Sequence, residues 1–155
     1  AGNVTAAESI LEEMASIAAR RHISPYHLAL VNCGLGRTEE ALDLLLDARG
    51  PVRFRGEDEP IDRVAGHVPG ALNRPYTENL ADARFKSPVQ LAQEFRDTLG
   101  EHTPDQTIVM CGSGVTACHH LLAMERAGLK GAKLFTGSWS GWISDPARPI
   151  ATGAD

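Results

Sequence analysis

The chain has 155 residues, enough for one domain with a sizeable core and too few for two ordinary domains. Apolar residues at 43% and charged residues at 23% are the balance of a folded globular protein, which excludes disordered and fibrous classes. A net charge of -5 argues against a nucleic-acid surface, and no run approaches the roughly 20 apolar residues that span a bilayer.

The amino terminus lacks the basic, apolar, small-residue order of a signal peptide, so a cytoplasmic setting with no membrane or nucleic-acid partner is expected. Residues 1–43 read as a helical front. Ile10, Leu11, Met14, Ile17 and Ala18 form one apolar stripe, with Thr5 as N-cap and Glu8 completing a capping box. Ser24-Pro25 opens a second helix that ends at Gly34-Leu35-Gly36, and Thr38 caps a third stretch. Leu28, Ala29, Gly36, Ala41 and Ala48 resemble one tetratricopeptide repeat. No second copy follows at a period of about 34 residues, so a helical hairpin is the expected form and a protein partner could dock there.

From Leu44 to Asp155 the texture becomes strand and helix in alternation. Leu44-Leu45-Leu46 has the composition of a buried parallel strand but also continues the preceding helical pattern, and periodicity leaves both open. Residues 50–70, rich in Gly, Pro and charge, are expected as loop, and Ala71-Leu72-Asn73 as a short apolar step. Ser87 caps a helix to about Leu99, and Thr107–Met110 is the clearest strand. Thr116–Ala127 is expected as a helix stopped by Gly128, with Leu121, Leu122 and Met124 inward. Leu134-Phe135 is a last strand, and a Gly/Pro-rich wrap runs from Trp139. The alternation implies an α/β fold with a small, mostly parallel sheet.

The chemistry centres on Met110-Cys111-Gly112-Ser113-Gly114-Val115-Thr116-Ala117. A buried strand delivers a cysteine to the carboxyl edge of the sheet, a tight loop follows, and a helix begins directly. Two glycines within four residues let backbone N–H groups converge on the sulfur, and the helix N-terminus adds partial positive charge, surroundings that favour a thiolate. Cysteine-cradling loops of this kind serve phosphatases and sulfur-carrying transferases. The phosphatase loop needs an arginine six places after the cysteine to clamp a dianion. Here that place holds Ala117, so the loop suits a singly charged persulfide better than a phosphoryl group. Cys33 and Cys118 are expected to fill space in the core. The cysteines lack zinc-site spacing, His119-His120 diverge by about 100° on a helix, and no metal or organic cofactor is expected. Asp47 is expected to anchor a loop by accepting backbone hydrogen bonds.

Four motifs in order resemble the rhodanese family, in particular the catalytic carboxyl-terminal domain of tandem-domain sulfurtransferases. They are Leu45-Leu46-Asp47-Ala48-Arg49, Gly66-His67-Val68-Pro69-Gly70-Ala71, the loop from Cys111, and Gly137-Ser138-Trp139-Ser140-Gly141-Trp142. The resemblance spans Leu44 to Gly153. It implies a three-layer rhodanese-like fold and a persulfide on Cys111, loaded by thiosulfate or 3-mercaptopyruvate and unloaded by cyanide or a thiol. The loop spelling looks like that of the 3-mercaptopyruvate group, in which Ser113 would help handle protons on the donor. Gly112, Gly114, Val115 and Thr116 would form the cradle. Arg53 matches an arginine that holds the donor's anionic end, and Arg49 is expected as a second electropositive or structural partner. His67 belongs to a motif that is architectural in the family.

The chain departs from the pattern at Glu59-Pro60: in the mercaptopyruvate group a further substrate arginine follows the Glu-Pro step, whereas here Ile61-Asp62 follows, with Arg63 displaced by one place. It also carries the helical front where tandem enzymes carry a companion domain. A second expectation follows: a catalytically weak rhodanese-type interaction module with a helical partner-binding front.

Overall fold

A computed structural model describes residues 43–154. The helical front, its tetratricopeptide-like hairpin and Cys33 lie, apart from Asp43, outside the described residues. Leu44–Asp47 is a strand, β1, which settles the ambiguity between strand and helix. Its neighbours decide the matter, because a run buried between two parallel strands gains a ladder on both edges that a helical continuation would forgo.

The segment expected as loop opens with a four-residue helix, α1 (Pro51–Phe54), started by a proline in its first turn. Then come β2 (Leu72–Asn73), a 3-10 turn over Tyr76–Asn79, and a hairpin of β3 (Leu80–Ala81) and β4 (Arg84–Phe85) that the sequence did not predict. Asp82 and Ala83 take φ of 49° and 59° at its turn, the handedness that suits a two-residue hairpin loop. Helix α2 (Pro88–Leu99) begins where expected. Ser87 and Gln90 form a reciprocal capping box, and Leu91, Ala92, Phe95 and Leu99 bury one stripe. Strand β5 (Thr107–Met110) is buried along its whole length.

Helix α3 runs Cys118–Arg126, two residues shorter at its start than expected, because 3-10-type bonds from Cys118 and His119 to the Val115 and Thr116 carbonyls occupy the turn before it. Its buried face is His120, Ala123 and Met124, while Leu122 is exposed and Leu121 half-buried. This corrects the expectation for Leu122: His120 takes an inward place because two polar partners satisfy its ring. Strand β6 is Lys133–Leu134, one residue earlier than expected, and the wrap contains a short helix, α4 (Ser138–Trp142).

The four parallel strands lie in the order β2-β1-β5-β6, with Leu46 opposite Val109 and Asp47 opposite Met110. Leu46 and Val109 join Leu91, Phe95, Ala123 and Met124 in one core layer. Alternation along the strands sends Leu45, Ile108 and Met110 to the other face, and these are buried too. Both faces of the sheet are therefore covered, as parallel strands require. His67 and Ala151 exchange backbone hydrogen bonds of 2.8 and 2.9 Å, which ties the tail to the middle loop. The His67 ring stacks on Phe54 at 3.8 Å and its Nδ1–H donates to the Phe54 carbonyl, so this histidine is architectural.

His120 gives the fold a pH dependence. Its Nε2–H donates to the Arg74 carbonyl at 2.6 Å, which makes Nδ1 the acceptor for the Asn79 amide at 2.8 Å. Burial is the main cause that pushes the ring down to about 4, and the Arg74 and His119 charges add to it against the Arg74 carbonyl bond. An unfolded chain takes a proton on this ring below about 6.5, whereas the folded chain resists until about 4. Stability from this site is complete above pH 6.5 and lost as the pH falls toward 4, by about 3 kcal/mol in all. Urea unfolding at stepped pH should show that slope in the parent and its loss in His120→Gln; equal slopes would remove His120 as the cause.

Candidate active site

The carboxyl ends of β1 and β5 deliver Asp47 and Met110 side by side, so the two loops that follow, from Ala48 and from Cys111, start as neighbours. Cys111 is buried, and the Gly114 N–H donates to its Sγ at 3.2 Å. That approach needs glycine. Gly114 has φ +87°, and a Cβ there would meet the Thr136 carbonyl oxygen at 2.8 Å. Gly114→Ala is expected to cost about 2 kcal/mol and to withdraw the amide from the sulfur, read by thermal unfolding and by the yield of sulfur uptake at Cys111.

The sequence missed what holds the cradle from the other side. Ser138, at φ +49°, donates its hydroxyl to the Phe135 carbonyl at 2.9 Å and accepts the Cys111 N–H at 3.1 Å. The Trp139 and Ser140 N–H groups then donate to the Cys111 and Gly112 carbonyls, both at 2.9 Å. Helix α4 is thus the clamp on the cysteine loop. Its serines were visible in Gly137-Ser138-Trp139-Ser140, but spacing alone did not separate packing from clamping.

Ser113 and Val115 are exposed on the loop, Val115 at 76%, and Thr116 is half-buried. Cys118 is exposed and donates its Sγ–H to the Gly114 carbonyl at 3.4 Å, so it does not fill space as expected. The phase of α3 turns it outward.

Arg53 reaches the loop. Its terminal nitrogens lie 3.4 and 3.6 Å from where a Cβ on Gly112 would sit. Arg49 is placed differently: its guanidinium is buried, bound to Asp47 at 2.7 to 3.1 Å and to the Gly66 carbonyl at 2.8 Å, and it lies over the Trp139 ring at 4.7 Å. Asp47 also accepts the Arg49 backbone N–H at 2.9 Å, the loop-anchoring bond expected of it. Glu59 links the two arginines. It accepts Arg53 at 2.7 to 3.0 Å, Arg49 at 3.4 Å and the backbone N–H groups of Ile61 and Asp62 at 3.1 Å. Desolvation pushes the Glu59 carboxyl up, but the Arg53 hydrogen bonds, the two backbone donors and the Arg53 charge together outweigh it and hold the carboxyl below its ordinary value. Asp62 completes the group, with Oδ2 at 3.2 Å from Arg53 and Oδ1 accepting the Ser140 hydroxyl at 2.7 Å. Neither carboxylate was legible as part of the site, because Glu59-Pro60 read only as a point of departure in a loop.

Among the described residues no group of His, Cys, Asp and Glu is arranged to hold a metal ion, and no helix is long and apolar enough to cross a membrane. The arrangement offers a sulfur nucleophile at the carboxyl edge of a parallel sheet, an amide donor on it, and a guanidinium beside the same loop.

Fold and loop together define a rhodanese-type domain. The family model for the Rhodanese-like domain matches residues 35–145, and the chain belongs to that family. The match begins ahead of Leu44, within the stretch expected as the helical front. A protein from Pseudomonas aeruginosa named "Probable 3-mercaptopyruvate sulfurtransferase" is 56% identical over 110 residues, which cover 70% of this chain and 39% of that protein. The 3-mercaptopyruvate sulfurtransferase of Escherichia coli is 41% identical over 108 residues, covering 68% of this chain and 38% of that protein. Among solved structures, the Tum1 protein from Saccharomyces cerevisiae superposes with a TM-score of 0.65 at 25% identity, over 84% of this chain and 46% of that one. The chain therefore spans about two-fifths of the length of the curated relatives it matches.

Proposed function

We propose that this domain is a sulfurtransferase that moves sulfane sulfur from 3-mercaptopyruvate or thiosulfate to a thiophilic acceptor, cyanide or a thiol, through a persulfide on Cys111. The observation that carries the proposal is the Cys111 sulfur held by the Gly114 amide on a loop that Arg53 flanks. The names of the curated relatives support it.

The Cys111 thiolate attacks the thiol sulfur of 3-mercaptopyruvate or the outer, sulfane sulfur of thiosulfate. A sulfur–sulfur bond forms as the donor's carbon–sulfur bond breaks to leave pyruvate, or as its sulfur–sulfur bond breaks to leave sulfite. With mercaptopyruvate the departing carbon takes a proton, and the exposed Ser113 hydroxyl is the group assigned to that transfer. Arg53 holds the donor's anionic end, and the amides of Gly112, Gly114, Val115 and Thr116 receive the outer sulfur. Arg49 acts as a positioning residue through Asp47 and Glu59 rather than on the donor itself. The acceptor then attacks the outer sulfur and restores the thiolate.

Mass spectrometry of the intact chain after incubation with each donor tests the proposal. A gain of one sulfur atom on Cys111, removed by cyanide as thiocyanate, is expected. No gain with either donor would overturn it and favour an interaction module.

A further inference from the structure

Two carboxylates already occupy the guanidinium that reaches the cysteine loop, and they are held differently. Glu59 is almost fully buried, accepts from four neighbours, and belongs to the frame of the loop. Asp62 is more open. Its carboxylate is held by one Arg53 nitrogen at 3.2 Å and by the Ser140 hydroxyl at 2.7 Å, and Ser140 is itself exposed and hydrogen-bonded to the Gly112 carbonyl. Asp62, Arg63 and Ser140 line an open groove of about 470 Å³, with Ile61, Ile143 and Ser144 completing it. Asp62 thus belongs both to this groove and to the Arg53 fork.

We propose that Asp62 is a specificity-determining residue, an internal counter-ion on Arg53 that favours singly charged donors over doubly charged ones. The proposal rests on the sulfur-transfer reading of the same site. Arg49 has its charge taken up by Asp47 in a buried pair, so it adds little field at the groove. The charges on the groove and at the Arg53 fork are Arg53 and the exposed Arg63 against Glu59 and Asp62, two of each sign. Asp62 repels a dianion such as thiosulfate twice as strongly as a monocarboxylate such as 3-mercaptopyruvate, while Arg53 can release Asp62 to either. Glu59 cannot be released in the same way, because two backbone N–H groups and both arginines fix it.

Asp62→Asn tests this. The amide keeps an oxygen for the Ser140 hydroxyl and, with an NH2 group in place of Oδ2, removes the charge together with its bond to Arg53. Two readouts are taken on the full chain: kcat and KM with each donor, and calorimetric binding of thiosulfate in a Cys111→Ser background, where turnover is blocked. The kcat/KM ratio of thiosulfate to 3-mercaptopyruvate is expected to rise about tenfold, carried by KM, with the gain shrinking as salt is added. Asp62→Glu should restore the parent ratio. An unchanged ratio, or an equal loss with both donors, overturns the role of Asp62. If the parent turns over neither donor, the binding arm decides. Tighter thiosulfate binding with Asp62→Asn then upholds the counter-ion while the sulfurtransferase reading fails, and unchanged binding overturns the counter-ion as well.

Discussion

Replacing Cys111 by serine is expected to abolish sulfur uptake and thiocyanate formation, a loss of roughly 10³-fold or more in rate, while leaving the fold intact. Serine is close to cysteine in size and its oxygen can still accept the Gly114 N–H, now 3.2 Å from the sulfur, and the backbone bonds to Ser138 and Trp139 do not involve the side chain. Chemistry alone is removed, since a hydroxyl at neutral pH neither attacks sulfane sulfur at a useful rate nor carries it. The matching control is Cys118→Ser, expected to retain uptake because Cys118 stands on the outside of α3 and touches only the Gly114 carbonyl among the loop bonds described. Intact mass and thiocyanate assays on both variants, with a thermal melt for each, make the comparison. Sulfur retained in Cys111→Ser and lost in Cys118→Ser would move the nucleophile to the second cysteine.

Arg49→Met is expected to destabilise the chain by about 3–5 kcal/mol, a large share of the stability of an ordinary domain. The substitution preserves much of the side chain's length and packing on Trp139 but deletes the hydrogen bonds to Asp47, Glu59 and the Gly66 carbonyl. Asp47 is fully buried and would keep only the Arg49 backbone N–H for its carboxylate among the bonds described. The cost is that of an unpaired charge in the core rather than the worth of the ion pair. Asp47→Asn combined with Arg49→Met should therefore recover part of the loss, a coupling that urea unfolding of the two single variants and the double variant measures. Simple additivity would mean that the two side chains act independently. Because Glu59 spans Arg49 and Arg53, Arg49→Met should also raise KM for either donor more than it lowers kcat.

The elements legible in advance were those whose signals are local. The Ser87-Pro88-Val89-Gln90 start of α2 carries its own cap and N1 proline, and β5 is short, β-branched and bounded by polar loops. Elements whose form depends on distant partners were harder. Residues 44–46 suit helix and strand equally until β5 and β2 are laid beside them. Leu122 and His120 lie two residues apart on α3, and apolarity alone assigns the inward place to leucine; the Arg74 carbonyl and Asn79, some forty residues upstream, give it to histidine.

The sequence alone marked out Cys111 as the nucleophile proposed here, because the strand, the cysteine, the two glycines and the missing arginine at Ala117 are contiguous and report on chemistry through short-range backbone geometry. It also pointed to Arg53. Only the tertiary structure decided what surrounds them: Ser138 and Ser140 clamping the loop from α4, Arg49 turned inward to Asp47, and Glu59 and Asp62 sharing the Arg53 fork. The physical reason is the parallel sheet. It gathers loops from residues 48–64, 111–117 and 135–144 at one edge, so partners separated by up to 80 positions meet within hydrogen-bond distance. No local pattern encodes such an encounter.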